Sequence, residues 1–260
     1  MSAAIADIYT EAVHENLRPL YANWEPSAPL ELGDYGEVHG STFVRLGNVK
    51  RLGLGFKSRA SPGEDAKTFA TKGTCDVSLS AQARAGGGSA SVRPSLEITF
   101  SSDRAAFFSV AGCRYLAIAD KAALGDQVMR LFQKKAFLRR WAVVTDLLAA
   151  KTTTIIVSGG ASASIVLEAA GSSGAIDLAD AKLKLDVRRQ QNIGFQLVSQ
   201  GRLTPLLGLC KIQSRFLWFG REFRPVLGFA PAAALGAMSD SDEICTEQSP
   251  ATDLAFSQLL

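Results

Sequence analysis

Residues 75–101 alternate apolar and polar side chains with a period of two, twice over, and this pattern constrains the chain more than any other. Cys75, Val77, Leu79, Ala81 and Ala83 alternate with Asp76, Ser78, Ser80, Gln82 and Arg84. Beyond Gly86-Gly87-Gly88, Ala90, Val92, Leu96, Ile98 and Phe100 alternate with Ser91, Arg93, Ser95, Glu97 and Thr99. Successive side chains of a strand point to opposite faces, so each run of about ten residues is predicted as a strand with one apolar and one polar face. The glycines supply the turn of a long β-hairpin. Pro94, which has no N–H to give to a ladder, predicts an edge or a bulge.

A second block of the same kind occupies 152–203. Thr152–Ser158 and Ser162–Ala169 flank Gly159-Gly160, which reads as a turn. Further on, Ala181, Leu183, Leu185 and Val187 alternate with Lys182, Lys184, Asp186 and Arg188, and 194–203 adds a strand ending at Thr204-Pro205. Helices frame the blocks. Ile5, Ile8, Ala12 and Val13 recur at helical spacing over 2–18, and Pro19 stops the run. Asp120 is placed to cap a helix over 120–137, whose stripe is Leu124, Val128, Leu131 and Phe132. The segment 24–55, broken by prolines and glycines, predicts short strands and turns, 57–66 a loop, and Trp141–Ala150 an apolar strand or the opening of one. The expected fold is α+β: a twisted, mostly antiparallel sheet with long amphipathic hairpins and peripheral helices.

The chain's 260 residues are 47% hydrophobic and 20% charged, a composition that folds. No uncharged apolar run approaches the roughly 20 residues of a spanning helix, and the acidic N-terminal segment does not read as a signal peptide. A cytoplasmic resting protein is expected. Cys75, Cys113, Cys210 and Cys245 are far apart, which predicts free thiols rather than disulfides or a zinc site. There are only two histidines, and no phosphate-cradling glycine loop, nucleophile elbow or metal-binding histidine pair is present. No catalytic residue, cofactor or metal ligand is assigned, and the expectation is a protein that is not an enzyme.

Charge is unevenly spread. Residues 239–260 hold Asp240, Asp242, Glu243, Glu247 and Asp253 and no basic residue, so the tail carries −5 and the body 1–238 carries +8. After that acidic stretch come Leu254, Phe256, Leu259 and Leu260, the pattern of a detachable docking peptide or, equally, of a disordered tail or a small terminal helix on the core. In the body, Lys134-Lys135 and Arg139-Arg140 bracket an apolar step before Trp141, Arg215, Arg221 and Arg224 lie among aromatics, and Arg188-Arg189 forms a smaller pair. A solvated face would account for each of these clusters; functionally, basic side chains beside aromatics suit an anionic lipid surface. Nucleic acid could use the same residues, but the hairpins tilt the choice, because strands of about ten residues match a tilted membrane-spanning strand.

The order of these features resembles the gasdermin family in its short bacterial and fungal form: Trp24 to Gly55, the hairpin Cys75 to Ser101, the helix Asp120 to Phe137, the run Trp141-Ala-Val-Val-Thr-Asp-Leu-Leu-Ala-Ala-Lys, a second hairpin block, and Gly201-Arg-Leu-Thr-Pro-Leu-Leu-Gly-Leu-Cys-Lys-Ile. The acylated cysteine near the start of bacterial members has no counterpart, the first cysteine being Cys75. The resemblance implies a pore-forming domain over 1–238 and an autoinhibitory tail over 239–260, held by Leu254, Phe256, Leu259 and Leu260. It implies activation by a protease cutting within 225–245, binding of anionic membrane lipids through Lys134, Lys135, Arg139, Arg140, Arg188 and Arg189, and homo-oligomerisation. Val77, Leu79, Ala81, Val92, Leu96, Ile98, Phe100, Leu183, Leu185 and Val187 would face lipid in a β-barrel at the cell membrane. Regulated permeabilisation and cell death in defence, antiviral defence included, would follow. On this reading Leu79→Asp or Ile98→Asp is expected to abolish permeabilisation while the soluble fold survives. The alternative is a soluble α+β binding or scaffold module whose acidic tail recruits a protein partner.

Overall fold

A computed structural model describes residues 2–84, 91–170, 176–214 and 221–225. Helix α1 (Ser2–Leu17) is followed by β1 (Tyr21–Ala22), β2 (Asp34–His39), β3 (Thr42–Asn48), a short 3-10 turn (Val49–Leu52), β4 (Ser58–Ala60) and β5 (Asp65–Ala70). Next come β6 (Cys75–Arg84), β7 (Ser91–Phe100), β8 (Ala106–Ile118) and helix α2 (Lys121–Gln133). The chain continues through β9 (Trp141–Ser158), β10 (Ala163–Ala169), β11 (Leu185–Gln191), β12 (Ile193–Ser214) and β13 (Arg221–Pro225). The fold is α+β, and its strand pairs with a defined register are antiparallel.

The chain divides into two compact units. One holds Met1–Leu30, Ala60–Leu116 and Leu147–Leu207, the other Glu31–Arg59, Ala117–Asp146 and Gly208–Leu260; β8, β9 and β12 give residues to both. In the first unit, β6, β7, β10 and β11 form a four-stranded sheet in the order β11-β10-β7-β6. The hairpin predicted over 75–101 is present with an unbroken register from Cys75↔Phe100 to Arg84↔Ser91. The ladder between β7 and β10 stops at Ser95, so at Pro94 the strand has a neighbour on one side alone and the missing N–H costs nothing. Also in this unit, β5 pairs β8, β8 pairs β9, and β12 pairs β9 and β1.

Two buried clusters fill the first unit. In one, α1 presents Tyr9, Ala12 and Val13 to Phe108, Val110, Leu148, Ile155, Val157 and Leu206. The Tyr9 ring stacks on Phe108, and burial pushes its hydroxyl far above the usual phenol range. The other cluster joins Leu96, Ile98, Phe100, Ile165 and Leu167 of the four-stranded sheet to Phe107 of β8 and Ile156 of β9.

The second unit is built around α2. Asp120 caps it as predicted, its carboxylate accepting from the Ala123 N–H at 2.9 Å. Leu124, Val128 and Met129 pack on Val49, Leu54, Ile118, Phe137, Val143, Cys210, Ile212 and Phe223. Asp146, 4% exposed, receives the Lys121 ammonium at 2.6 Å and the Thr145 hydroxyl at 2.8 Å, so the buried charge is matched. Asp34, fully buried, accepts from Asn48 Nδ2, Arg45 Nε and the Glu31 N–H.

The structure corrects the sequence reading at three places. Ser58–Ala60 and Asp65–Ala66 lie in strands β4 and β5 where a loop was expected over 57–66, because their partner β8 supplies the ladders. β12 runs through Thr204-Pro205 without ending there. Ala181–Lys184 is folded into turns, so β11 begins only at Leu185.

Candidate functional site: a bent hairpin sheet and a basic unit

Each strand of the four-stranded sheet is the direct continuation of another strand of the first unit. β5 becomes β6 across residues 71–74, β7 becomes β8 across 101–105, β9 becomes β10 across 159–162, and β11 becomes β12 across residue 192. Before the joints the neighbour order is β5-β8-β9-β12, and beyond them it is β6-β7-β10-β11. The same four chain paths therefore lie side by side on both sides of the joints.

Hydrogen bonds link neighbouring paths at the joints as well. The Ser101 N–H donates to Thr74 O at 3.0 Å, Ser158 N–H to Ala105 O at 2.9 Å, and Gly159 N–H to Asn192 O at 2.8 Å. The four paths thus carry one neighbour order from one sheet into the other through a bend at the joints. The bend is made by local backbone: Ser162 and Asn192 sit in the left-handed region at φ 64° and 53°, where asparagine is among the better-tolerated residues. Gly159 and Gly194 touch backbone to backbone, and a Cβ on Gly159 would stand 2.7 Å from Gly194 N. Gly159-Gly160, predicted as a turn, is a joint of this bend.

The residues expected to face lipid fall into four groups. Leu96, Ile98 and Phe100 on β7 are buried, together with Ile165 and Leu167 on β10. Val77, Leu79 and Val187, on the outer strands β6 and β11, are exposed, Leu79 by 63%, and Leu185 is half-buried. Ala81 and Val92 take their places in the ladder opposite Pro94 and Ala83, and their side chains lie outside the described residues. Leu183 is buried but belongs to the turn segment before β11. The polar face carries Asp76, Ser78, Glu97 and Thr99, all exposed. Among the described residues, β6 has only β7 for a neighbour and β11 only β10, so both edges of this sheet are open.

The basic residues separate by unit. Lys134, Lys135, Arg139 and Arg140 are exposed on the link between α2 and β9. That link closes the helix with the Ala136 N–H on Leu131 O and the Lys135 N–H on Phe132 O, both at 2.9 Å. Lys135 holds the left-handed position, at φ 58°, where glycine is usual. Arg140 pairs with Glu37 at 2.7 Å and holds the Glu37 carboxyl below its ordinary range. Tyr35, Phe137 and Trp141 cluster at ring separations of 4.9 to 6.0 Å beside this turn. Arg188 and Arg189 belong to β11 in the other unit, where Arg188 pairs with Glu168 at 2.5 Å.

Charge follows the same division. The first unit holds 13 basic and 13 acidic residues; up to residue 238, the second holds 15 basic and 7 acidic. The whole +8 excess of the body therefore resides in the second unit. Leu254, Phe256, Leu259 and Leu260 lie outside the described residues. No helix among the described residues is long and apolar enough to cross a membrane. The chain matches no protein-family model and none of the curated proteins.

Proposed function

We propose that this chain is an autoinhibited pore-forming protein of gasdermin type. Proteolytic loss of the acidic tail 239–260 leaves a body of +8. Its basic unit then docks on anionic membrane lipid, copies associate, and the bent sheet of each straightens into membrane-spanning strands of a shared β-barrel. The outcome is permeabilisation of the cell's own membrane and cell death in defence. The resting protein is cytoplasmic.

The observation that carries this reading is the bent sheet with one neighbour order on both sides of its joints. Straightening it requires no strand to change partner: Asp65–Arg84, Ser91–Ile118, Trp141–Ala169 and Leu185–Ser214 are already adjacent in that order. Each path exceeds the roughly 9–11 residues a tilted strand needs to cross a bilayer. In water the apolar face must stay covered; in lipid it needs no cover, while the open edges β6 and β11 must find partners. Pairing of one copy's β6 with the next copy's β11 is a head-to-tail contact of the kind that closes into rings.

The test is dye release from anionic liposomes, comparing 1–260 with a chain ending at Met238. Leakage from the shorter chain alone is the expected result. Absence of leakage from both overturns the proposal and leaves the binding-module account, in which loss of the tail costs a protein partner and gains no toxicity.

A further inference from the structure

We infer that residues 176–184 are a clasp that holds the bent sheet closed, a restraint separate from the acidic tail. The hairpin between β10 and β11 could have turned directly beyond Ala170, whose N–H still donates to Lys184 O at 2.8 Å. The chain instead makes an excursion stiffened by two successive side-chain turns. Asp177 Oδ1 accepts from the Ala179 N–H at 2.9 Å, and Asp180 Oδ1 from the Lys182 N–H at 2.8 Å.

The excursion fastens onto strands on the other side of the joints. The Thr152 hydroxyl of β9 donates to Ala181 O at 2.9 Å, and Gln200 Nε2 of β12 donates to Leu183 O at 2.5 Å and Lys182 O at 3.3 Å. Gly112 of β8, at φ 62°, makes room for it: a Cβ there would stand 2.8 Å from the Ala181 Cβ. Ile176 and Leu183, each 8% exposed, close the cluster that contains Leu96, Ile98, Ile165 and Leu167. A segment covalently attached to one arm of the bend is thus bonded to the other arm and seals the apolar face between them. A cleft of about 230 Å³, lined in part by Thr154, Leu183, Val198 and Gln200, lies at this attachment.

The clasp deepens the pore-forming reading by naming what must release before the sheet straightens, but its test needs no membrane. The full chain is compared with Thr152→Val, Gln200→Ala and the double variant by amide hydrogen exchange. The Ser158, Gly159 and Ser101 amides report on the joints, and the Ala123 amide, which donates to the Asp120 cap of α2, reports on folding of the other unit. The double variant is expected to speed exchange at the joints by about tenfold, the scale of one or two lost side-chain hydrogen bonds, with Ala123 unchanged. Faster exchange confined to 177–184, with the joints protected as in the parent, overturns the clasp, as does no change anywhere. Should the double variant lose the Ala123 protection too, Gln200→Ala alone, at an exposed position, decides between the same two outcomes. Dye release by the same variants lacking the tail forms a separate arm. Joints that open without any leakage sink the pore reading and leave the clasp standing.

Discussion

Single residues show how one alternating pattern serves two environments. Val77 and Leu79 face Ile98 and Leu96 across the ladder, yet the first pair is exposed and the second buried, because β6 is an edge and β7 is not. The two charge insertions expected to act alike therefore part company. Leu79→Asp, on a side chain 63% exposed, should leave stability within about 0.5 kcal/mol and abolish leakage. Ile98→Asp puts an unpaired carboxylate into a site with no exposure and should cost several kcal/mol, about 3 or more. Denaturant melts of the full chain separate the two. Lys135 offers a second comparison. Lys135→Gly should raise stability by about 1 kcal/mol, since glycine occupies φ 58° without a Cβ clash, while weakening retention on anionic vesicles. A destabilised variant would refute the cap assignment. Nothing in the sequence marks Lys135 as special: left-handed helix ends are read from glycine, and here the position holds a charge.

At the scale of elements, the hairpin over 75–101 was legible because alternation and a glycine turn leave one reading. The bend was not. A period of two survives any change of direction between strands, so Gly159-Gly160 reads as an ordinary turn and Asn192 falls, unmarked, between two predicted strands. The clasp was hidden for the converse reason. Ala181, Leu183, Leu185 and Val187 keep the alternation across a boundary where Asp177 and Asp180 fold the backbone into turns. Their spacing of three was the available signal. Asn192 carries the prediction here. Asn192→Gly should favour the bent form and slow leakage by the tail-free chain. Asn192→Val, which resists φ 53°, should destabilise the resting protein by about 1–2 kcal/mol in a denaturant melt and hasten leakage. Equal leakage rates for the two variants would show that residue 192 has no part in the transition.

For the whole molecule, the sequence displayed a cationic body and an acidic tail, but not that the body's excess belongs to one unit. Net charge read along a chain mixes segments that the fold sorts apart, since each unit is assembled from discontinuous stretches. That sorting separates the basic residues first grouped together. Lys134→Glu, Lys135→Glu and Arg139→Glu combined should nearly eliminate binding of the tail-free chain to anionic vesicles. Arg188→Glu with Arg189→Glu, in the neutral unit, should reduce binding only slightly. Binding by the parent should also fall steeply between low and physiological salt, where the screening length shortens to about 8 Å. Cosedimentation at two ionic strengths measures both effects, and equal losses from the two reversals would remove the special status of the basic unit.

The matched neighbour order on the two sides of the bend also bears on kinetics. A rearrangement that exchanges strand partners must dissolve ladders before rebuilding them, and its barrier grows with the number of bonds broken. Hinging at four short joints conserves the ladders, so the number of backbone bonds sacrificed does not rise with the length of strand delivered. If activation proceeds by this hinging, as proposed, opening of the clasp and joints is a fast equilibrium that sets how much of the chain is ready, and the slow step is the meeting of copies on the membrane. Permeabilisation should then follow a concentration-dependent lag, with no slow unimolecular phase.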